Sequence, residues 1–319
     1  MHPLEINLRS GLTTKINNME VKIMSLSGVP TNRTSIDLPV AVSNEILQKT
    51  QGASAVMQLA RKIALPGRGA AINVITSDPE AAWVGETGSK PVANPGLETK
   101  VMRAYKLAVI VPFSDEFRRD AASLYDALIE RLPGALAKKF DETVFGVVSK
   151  PGSDFDNFAS VTAQEIGTDA YDGLVAADTD IATNGGILNG FALAPQGKGV
   201  LLAAKDKNDR PLFINSVAEG AIPMVLGAKT VLAKGAYKAS TNQVGVAGDW
   251  SQALWGTVEG VRISSSADAT LAYTDGEGQS ATMNLFQNNM FAVRAEIEVG
   301  FRADTSVFNR LIATPEVSG

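Results

Sequence analysis

The segment AAWVGETGSKPVANPGLETK (Ala81–Lys100) constrains the fold more than any other part of this chain. It separates two strand-like patterns. It holds three glycines, two prolines, mixed charge and a single large aromatic, Trp83. A stretch of that kind buries little apolar surface of its own, so it cannot nucleate a core. A fold that contains it must hold it out as an arm and find its burial elsewhere.

The flanking text says how the arm is held. AINVIT (Ala71–Thr76) precedes it and KVMRAYKLAVIVPF follows. In the second run Val101, Arg103, Tyr105, Leu107, Val109 and Val111 share one face at period two. Met102, Ala104, Ala108 and Ile110 take the other face. Both faces turn apolar toward the end, which predicts a strand that starts exposed and finishes buried. Paired with AINVIT, it makes a long two-stranded ribbon whose far end leaves the body.

Next comes the strongest helical pattern, SLYDALIERLPGALAKKFDETVFGVV (Ser123–Val148). Ser123 with Asp126 fits a capping box. Tyr125, Leu128, Ile129, Leu132, Leu136, Phe140, Val144 and Val147 form an apolar stripe at steps of three and four. Asp126, Glu130, Arg131, Lys138, Lys139, Asp141 and Glu142 fill much of the rest. At ~1.5 Å per residue the helix runs ~39 Å, long for a compact domain. Pro133 and Gly134 predict a kink near its middle, and Lys150, Pro151 and Gly152 predict its end.

Elsewhere the pattern is mixed. Residues 1–35 read as a polar arm, either a frayed terminus or a strap over a neighbouring subunit. SNEILQKTQGASAVMQLARKI reads as helix broken at Gly52. Residues 153–190 are rich in Asp, Gly and Ala, with short helical pieces, and from Gly190 onward turns, short strands and a brief helix alternate. That predicts a second α/β lobe. Near the end AVRAEIEVGF alternates, with Val293, Ala295, Ile297, Val299 and Phe301 inward and Arg294, Glu296, Glu298 and Arg302 outward. It reads as a half-buried strand that returns to the first domain.

Bulk numbers limit the function. The chain has 319 residues, 45% apolar and 20% charged, an ordinary globular balance for about two domains. It has no cysteine, which excludes disulfides, thiolate nucleophiles and zinc–sulfur sites. The net charge of −5 argues against a surface built to grip phosphate. No apolar run approaches the ~18–20 residues of a membrane-spanning helix, and no apolar leader follows Met1. The expected setting is the cytoplasm, with no membrane partner.

Chemical motifs fail one by one. The single histidine is His2, so Ser–His pairs and His-based metal sites have no members elsewhere. LGAKT (Leu226–Thr230) lacks the upstream glycine of a phosphate loop, and Gly276–Ala281 reads as a hairpin turn. Asp178, Thr179 and Asp180 with Asn184 and Gly185 read as an acidic surface loop, because Ala182 stands where a calcium ligand is needed. Asp141–Glu142 and Glu296–Glu298 read as solvated or ion-paired surface. Trp250 and Trp255, in GDWSQALWG, read as core or interface. The expectation is no catalytic, cofactor or metal residue.

The order of segments carries the remaining signal. WVGETGSKPVANPGLETKVMRAYKLAVIVPFSDEF, the FDETVFG helix ending, GDWSQALWG and MFAVRAEIEVGFRADTSVFNRL resemble, in sequence order, the major capsid proteins of tailed phages of the Hong Kong 97 type. The likeness covers roughly Ala64 to Leu311. It implies an α+β fold with an N-terminal arm (1–35), the start of a peripheral domain (36–75) and an extended β-hairpin loop (76–106). The peripheral domain with its spine helix (107–189), an axial domain (190–283) and a return to the peripheral domain (284–319) would follow. It also implies self-assembly through pentamers and hexamers into an icosahedral shell around double-stranded DNA, without sequence-specific binding. The loop would lie on an adjacent subunit, with Trp83, Glu86, Lys90, Glu98 and Lys100 as candidate intersubunit contacts.

Implied partners are other copies of the chain, a portal protein, a separate scaffolding protein and a possible decoration protein. The implied location is the virion, after assembly in the host cytoplasm. Some relatives carry a long scaffolding segment, for which the arm here is too short. Some join subunits by a Lys–Asn isopeptide bond, for which Lys90 or Lys100 with Asn309 is the pair to try. An encapsulin-type compartment shell, a soluble carboxylate-based hydrolase and a sheet-rich adhesin are the competing readings.

Overall fold

The computed structural model describes residues 40–67, 69–77, 83–84, 96–116, 121–213 and 224–314, so the arm at 1–35 lies outside the described residues. Among the described residues the first elements are helices α1 (Val40–Ala53) and α2 (Ala55–Leu59) and strand β1 (Arg61–Ala64). Strands β2 (Ala70–Ser77), β3 (Gly96–Met102) and β4 (Tyr105–Ser114) lead to the long helix α3 (Ala121–Val144). Then come β5 (Ala163–Glu165), α4 (Ala170–Thr183), β6 (Gly190–Leu193), α5 (Pro195–Ala203), β7 (Met224–Val225), β8 (Ala228–Leu232) and β9 (Gln243–Gly248). The last strands are β10 (Ala253–Thr257), β11 (Arg262–Ser266), β12 (Thr270–Thr274), β13 (Ser280–Asn284), β14 (Met290–Ala303) and β15 (Phe308–Ile312).

Two sheets organise these elements. The first runs β1-β10-β14-β11, and β4 lines the other edge of β14. The second runs β5-β15-β9-β6-β8-β7. β2–β3 and β12–β13 are separate two-stranded ribbons. Mixed helix and sheet is what the sequence predicts. The pairing nevertheless crosses residues 190 and 284: β10 and β11 join the first sheet, and β5 and β15 join the second. Partner choice between distant strands is a long-range matter that local alternation does not encode.

α3 joins two cores. Leu128, Leu132 and Leu136 pack with Ile46, Phe291, Val293, Ala295 and Ile297. One turn on, Phe140 and Val144 enter a second cluster with Phe155, Phe158, Trp250, Phe301 and Phe308. Phe158 stacks on Phe308 at 4.4 Å between ring centroids. The apolar stripe is therefore as predicted; Tyr125 and Ile129 fall outside the residues whose side chains are described. Helix bounds differ from expectation. α3 runs unbroken through Pro133, which is buried within it. It stops at Val144, ahead of the predicted end, because Gly146 turns left-handed (φ +74°) where a Cβ would lie 2.5 Å from Ala159.

β14 alternates as read, with Val293, Ala295, Ile297, Val299 and Phe301 all buried. Three other readings need correction. Gly52 does not break the first helix; the break is at Ser54, which caps α2 by accepting a bond from the Met57 amide. The acidic stretch Asp178–Asp180 is helix α4, not a loop. β4 does not finish buried: Leu107, Val109, Val111 and Phe113 pack inward, but Lys106, Ala108, Ile110 and Pro112 stay exposed to its end.

Candidate functional site

The ribbon is real and its root is heavily built. β2 and β3 pair antiparallel, with Ala70 opposite Met102 and Ile72 opposite Lys100. The strand predicted to continue through Val111 breaks at Arg103–Ala104, where the chain leaves β2 and takes β14 as its new partner. Gly69 (φ +89°) lets the entering strand pass; a Cβ there would sit 2.6 Å from the Met102 carbonyl oxygen. Gly300 serves the exit, where a Cβ would lie 2.6 Å from the Arg103 carbonyl oxygen.

Arg302 locks that junction. Its Nε and Nη2 donate to the Val101 carbonyl at 2.9 and 2.7 Å. Its Nη1 donates to Asp156 Oδ1 at 2.8 Å, and Nη2 reaches Asp154 Oδ1 at 3.3 Å. Arg103 closes the cluster, 3.3 Å from Asp154 Oδ2. The planar fork of one guanidinium thus ties the ribbon to the 153–156 loop, a geometry a lysine cannot reproduce. Sequence reading placed Arg302 merely on the outer face. The Asp-rich text around Asp154 and Asp156 was the available signal.

Between Ser77 and Gly96 the described residues are Trp83 and Val84 alone. Trp83 is fully exposed, and Val84 beside it is exposed as well. An indole buries ~150–250 Å² when it packs, so leaving it in water forgoes on the order of 4 kcal/mol. Of the other predicted contact residues, Glu98 and Lys100 lie in β3 opposite Val74 and Ile72. Glu86 and Lys90 fall outside the described residues.

β4 supplies a second open feature. Among the described residues it pairs only with β14. The amide of Asp115 donates to the Asn289 carbonyl directly opposite, which fixes the odd-numbered residues as those bonded to β14. The backbone groups of Lys106, Ala108 and Ile110 therefore point to the free edge. Pro112 shares that parity, where its missing N–H does no harm.

Asp141 is the site sequence reading misjudged. It is not surface; it is 2% exposed. Its carboxylate accepts from the Ser54 hydroxyl at 2.6 Å and from the amides of Ala55 and Val56 at 2.9 and 3.3 Å. It thereby pins the start of α2 onto α3. Burial pushes its pKa up to about 7, against those three hydrogen bonds, which lower it. Its neighbour Glu142 pairs with Lys138 and Lys139 as read, and Glu296 and Glu298 pair with Arg294 and Lys106.

The remaining candidates resolve into structure. Trp250 and Trp255 are buried in the core, and the indole N–H of Trp250 donates to the Gly190 carbonyl at 3.0 Å. Leu226–Gly227 is a tight turn with positive φ at both residues, joining β7 to β8. Gly276–Gly278 sits in the β12–β13 turn, where Asp275 accepts from the Glu277 and Gln279 amides. Asn309 is fully buried, and its Nδ2 donates to the Ala177 carbonyl, so it cannot serve as the acceptor of an isopeptide bond to a neighbour's lysine. Among the described residues no group of three His, Asp or Glu could hold a metal, and no helix is long and apolar enough to cross a membrane.

Comparison with known proteins gives one family. Residues 37–304 match the model of the phage capsid family. The chain is 29% identical to the probable major capsid protein gp17 of Mycobacterium phage L5, over 81% of this chain and 83% of that one. It is 23% identical to the major capsid protein of Staphylococcus phage 80alpha, over 84% and 82%. A solved structure from Gordonia phage Cozz superposes with a TM-score of 0.62 at 21% identity, covering 82% of this chain and 87% of that one.

Proposed function

This chain belongs to the phage capsid family, and from that premise we propose the following reading: it is the major capsid protein of a tailed phage, with the Hong Kong 97-type fold, and it builds an icosahedral shell. The family is a structural one. The observation that carries the reading is a ribbon fixed rigidly at its root whose Trp83 has no burial in its own chain. A subunit of a shell has neighbours to bury it; a monomer has none.

Several finer assignments follow from the family. The ribbon, 76–106, is the extended loop, and Trp83, Glu86, Lys90, Glu98 and Lys100 contact the adjacent subunit. α3 is the spine of the peripheral domain, and 190–283 supply most of the axial lobe. Subunits gather as pentamers and hexamers, on a portal and with a separate scaffolding protein, in the host cytoplasm. The shell encloses double-stranded DNA without gripping it, which suits the net charge of −5.

Electron microscopy with sedimentation over a dilution series tests this. Closed shells or rings of five and six are expected. A compact monomer at every concentration, with the ribbon folded onto its own body, overturns it.

A further inference from the structure

A cavity of about 860 Å³ opens between the start of α4, helix α5 and the end of β15. That volume lies in the range of roughly 300–1,000 Å³ typical of sites that hold a ligand. Val200, Leu212 and Tyr237 give it an apolar side. Leu212 is 44% exposed and Tyr237 37%, so two large side chains there are left partly in water. Lys205 and Lys207 also line it. Lys205 pairs with Asp209 at 3.6 Å, and Lys207 holds no carboxylate among the described residues. The acids of the lining, Asp169 and Asp206, are engaged by backbone amides. Asp169 accepts from those of Tyr171 and Asp172, and Asp206 from those of Asn208 and Arg210.

The chain itself arrives at this opening. β15 ends at Ile312, and Ala313 and Thr314 stand in the cavity wall. Glu165 fixes the exit. Its carboxylate accepts from the Thr314 amide at 3.0 Å, the Thr314 hydroxyl at 2.7 Å and the Gly167 amide at 2.8 Å. Pro315 follows, which biases Thr314 toward extended backbone. Residues 315–319, PEVSG, lie outside the described residues. At ~3.3 Å per residue they can reach ~16 Å. Side chains alternate along an extended chain, so Pro315 and Val317 share one side and Glu316 takes the other.

We propose that Pro315–Val317 folds back into the cavity of its own chain, with Pro315 and Val317 on Val200, Leu212 and Tyr237 and Glu316 at Lys205 and Lys207. The inference does not depend on the shell reading. Reach and charge choose the occupant. Thr314 already stands in the wall, so ordering the segment costs only a short loop closure. A separate molecule would lose its translational freedom as well. The segment acts as a strap: it covers apolar surface at the open end of the second core and fastens β15 beside the edge strand β5.

The absence of cysteine makes the test direct. Val317→Cys is combined with Leu212→Cys in the full chain. A disulfide needs Cα atoms roughly 4–7 Å apart. Mild oxidation should give a monomer that migrates faster on a non-reducing denaturing gel, because the bond closes a loop of about a hundred residues. Reduction should reverse it. Val317→Cys with Thr274→Cys, exposed on β12, should give no such band. Oxidised dimers in place of the fast monomer would assign the segment to a neighbouring copy and overturn the proposal. A fast band no stronger than that of the control pair overturns it too.

A second arm leaves the cavity lining untouched. Truncation after Thr314 should raise acetylation of Tyr237 severalfold relative to Tyr273, which is exposed on β12, with the far-ultraviolet circular dichroism unchanged. Equal ratios in the full and truncated chains would show that nothing after Thr314 covers Tyr237, and the proposal fails.

Discussion

Asp141 shows how a single residue can carry a structural junction that its chemistry conceals. A carboxylate at i+1 from a stripe position reads as the polar side of a helix. Here it is buried because α2 begins against α3 and offers a hydroxyl and two amides. Its folded pKa of about 7 lies above the ordinary 3.8. A raised carboxyl favours folding fully only below the unfolded value, and that contribution is lost as pH climbs through the folded one. Stability should therefore fall between about pH 4 and 7, by on the order of 2–4 kcal/mol from this group, and level off above. Asp141→Asn should flatten that slope in denaturation curves taken across the range. An unchanged slope would show that Asp141 does not titrate there. Asn309 makes the opposite point: an amide near a chain end looks available in sequence, yet strand β15 puts it in the core.

Among elements, the ribbon and its root were unequally legible. Period-two alternation on either side of a glycine–proline stretch foresees a two-stranded ribbon, but AINVIT pairs mostly with residues 97–100, read as part of the arm, and the run from Tyr105 pairs with β14 instead. What fastens them was not visible, because Arg302 lies 201 residues from the carbonyl it holds. Arg302→Leu strips that carbonyl of two donors and leaves Asp156 without its cation, at a cost of about 2–4 kcal/mol. Amide exchange across β2–β3 should quicken more than across β9, which lies in the other sheet. Arg302→Lys should recover only part of the loss, since an ammonium cannot bond the carbonyl and two carboxylates in one plane. Equal exchange in both strands after either substitution would show that the fork does not secure the ribbon. Pro133 is a complementary case: it lies buried inside α3, and the helix continues on both sides of it, with Leu132 and Leu136 packed in the core.

At the scale of the whole molecule, assembly is the property the chain is built around. Of its three tryptophans, Trp250 and Trp255 are 2% and 1% exposed, so Trp83 alone answers to solvent. On assembly its emission should move to shorter wavelength and lose its quenching by acrylamide. Trp83→Phe should abolish both changes. Particles whose tryptophan stays fully quenchable would show that the ribbon tip remains in water. The sequence by itself determined the periodic elements, the lack of cysteine, and a glycine–proline stretch with little apolar surface of its own, because each follows from residue type and spacing along a few turns or strands. Tertiary structure alone decided which strands share a sheet, that Asp141 faces inward, and that a guanidinium and two glycines hold the ribbon's root. Those depend on groups far apart in the chain meeting at a few ångströms, and no local pattern records such meetings.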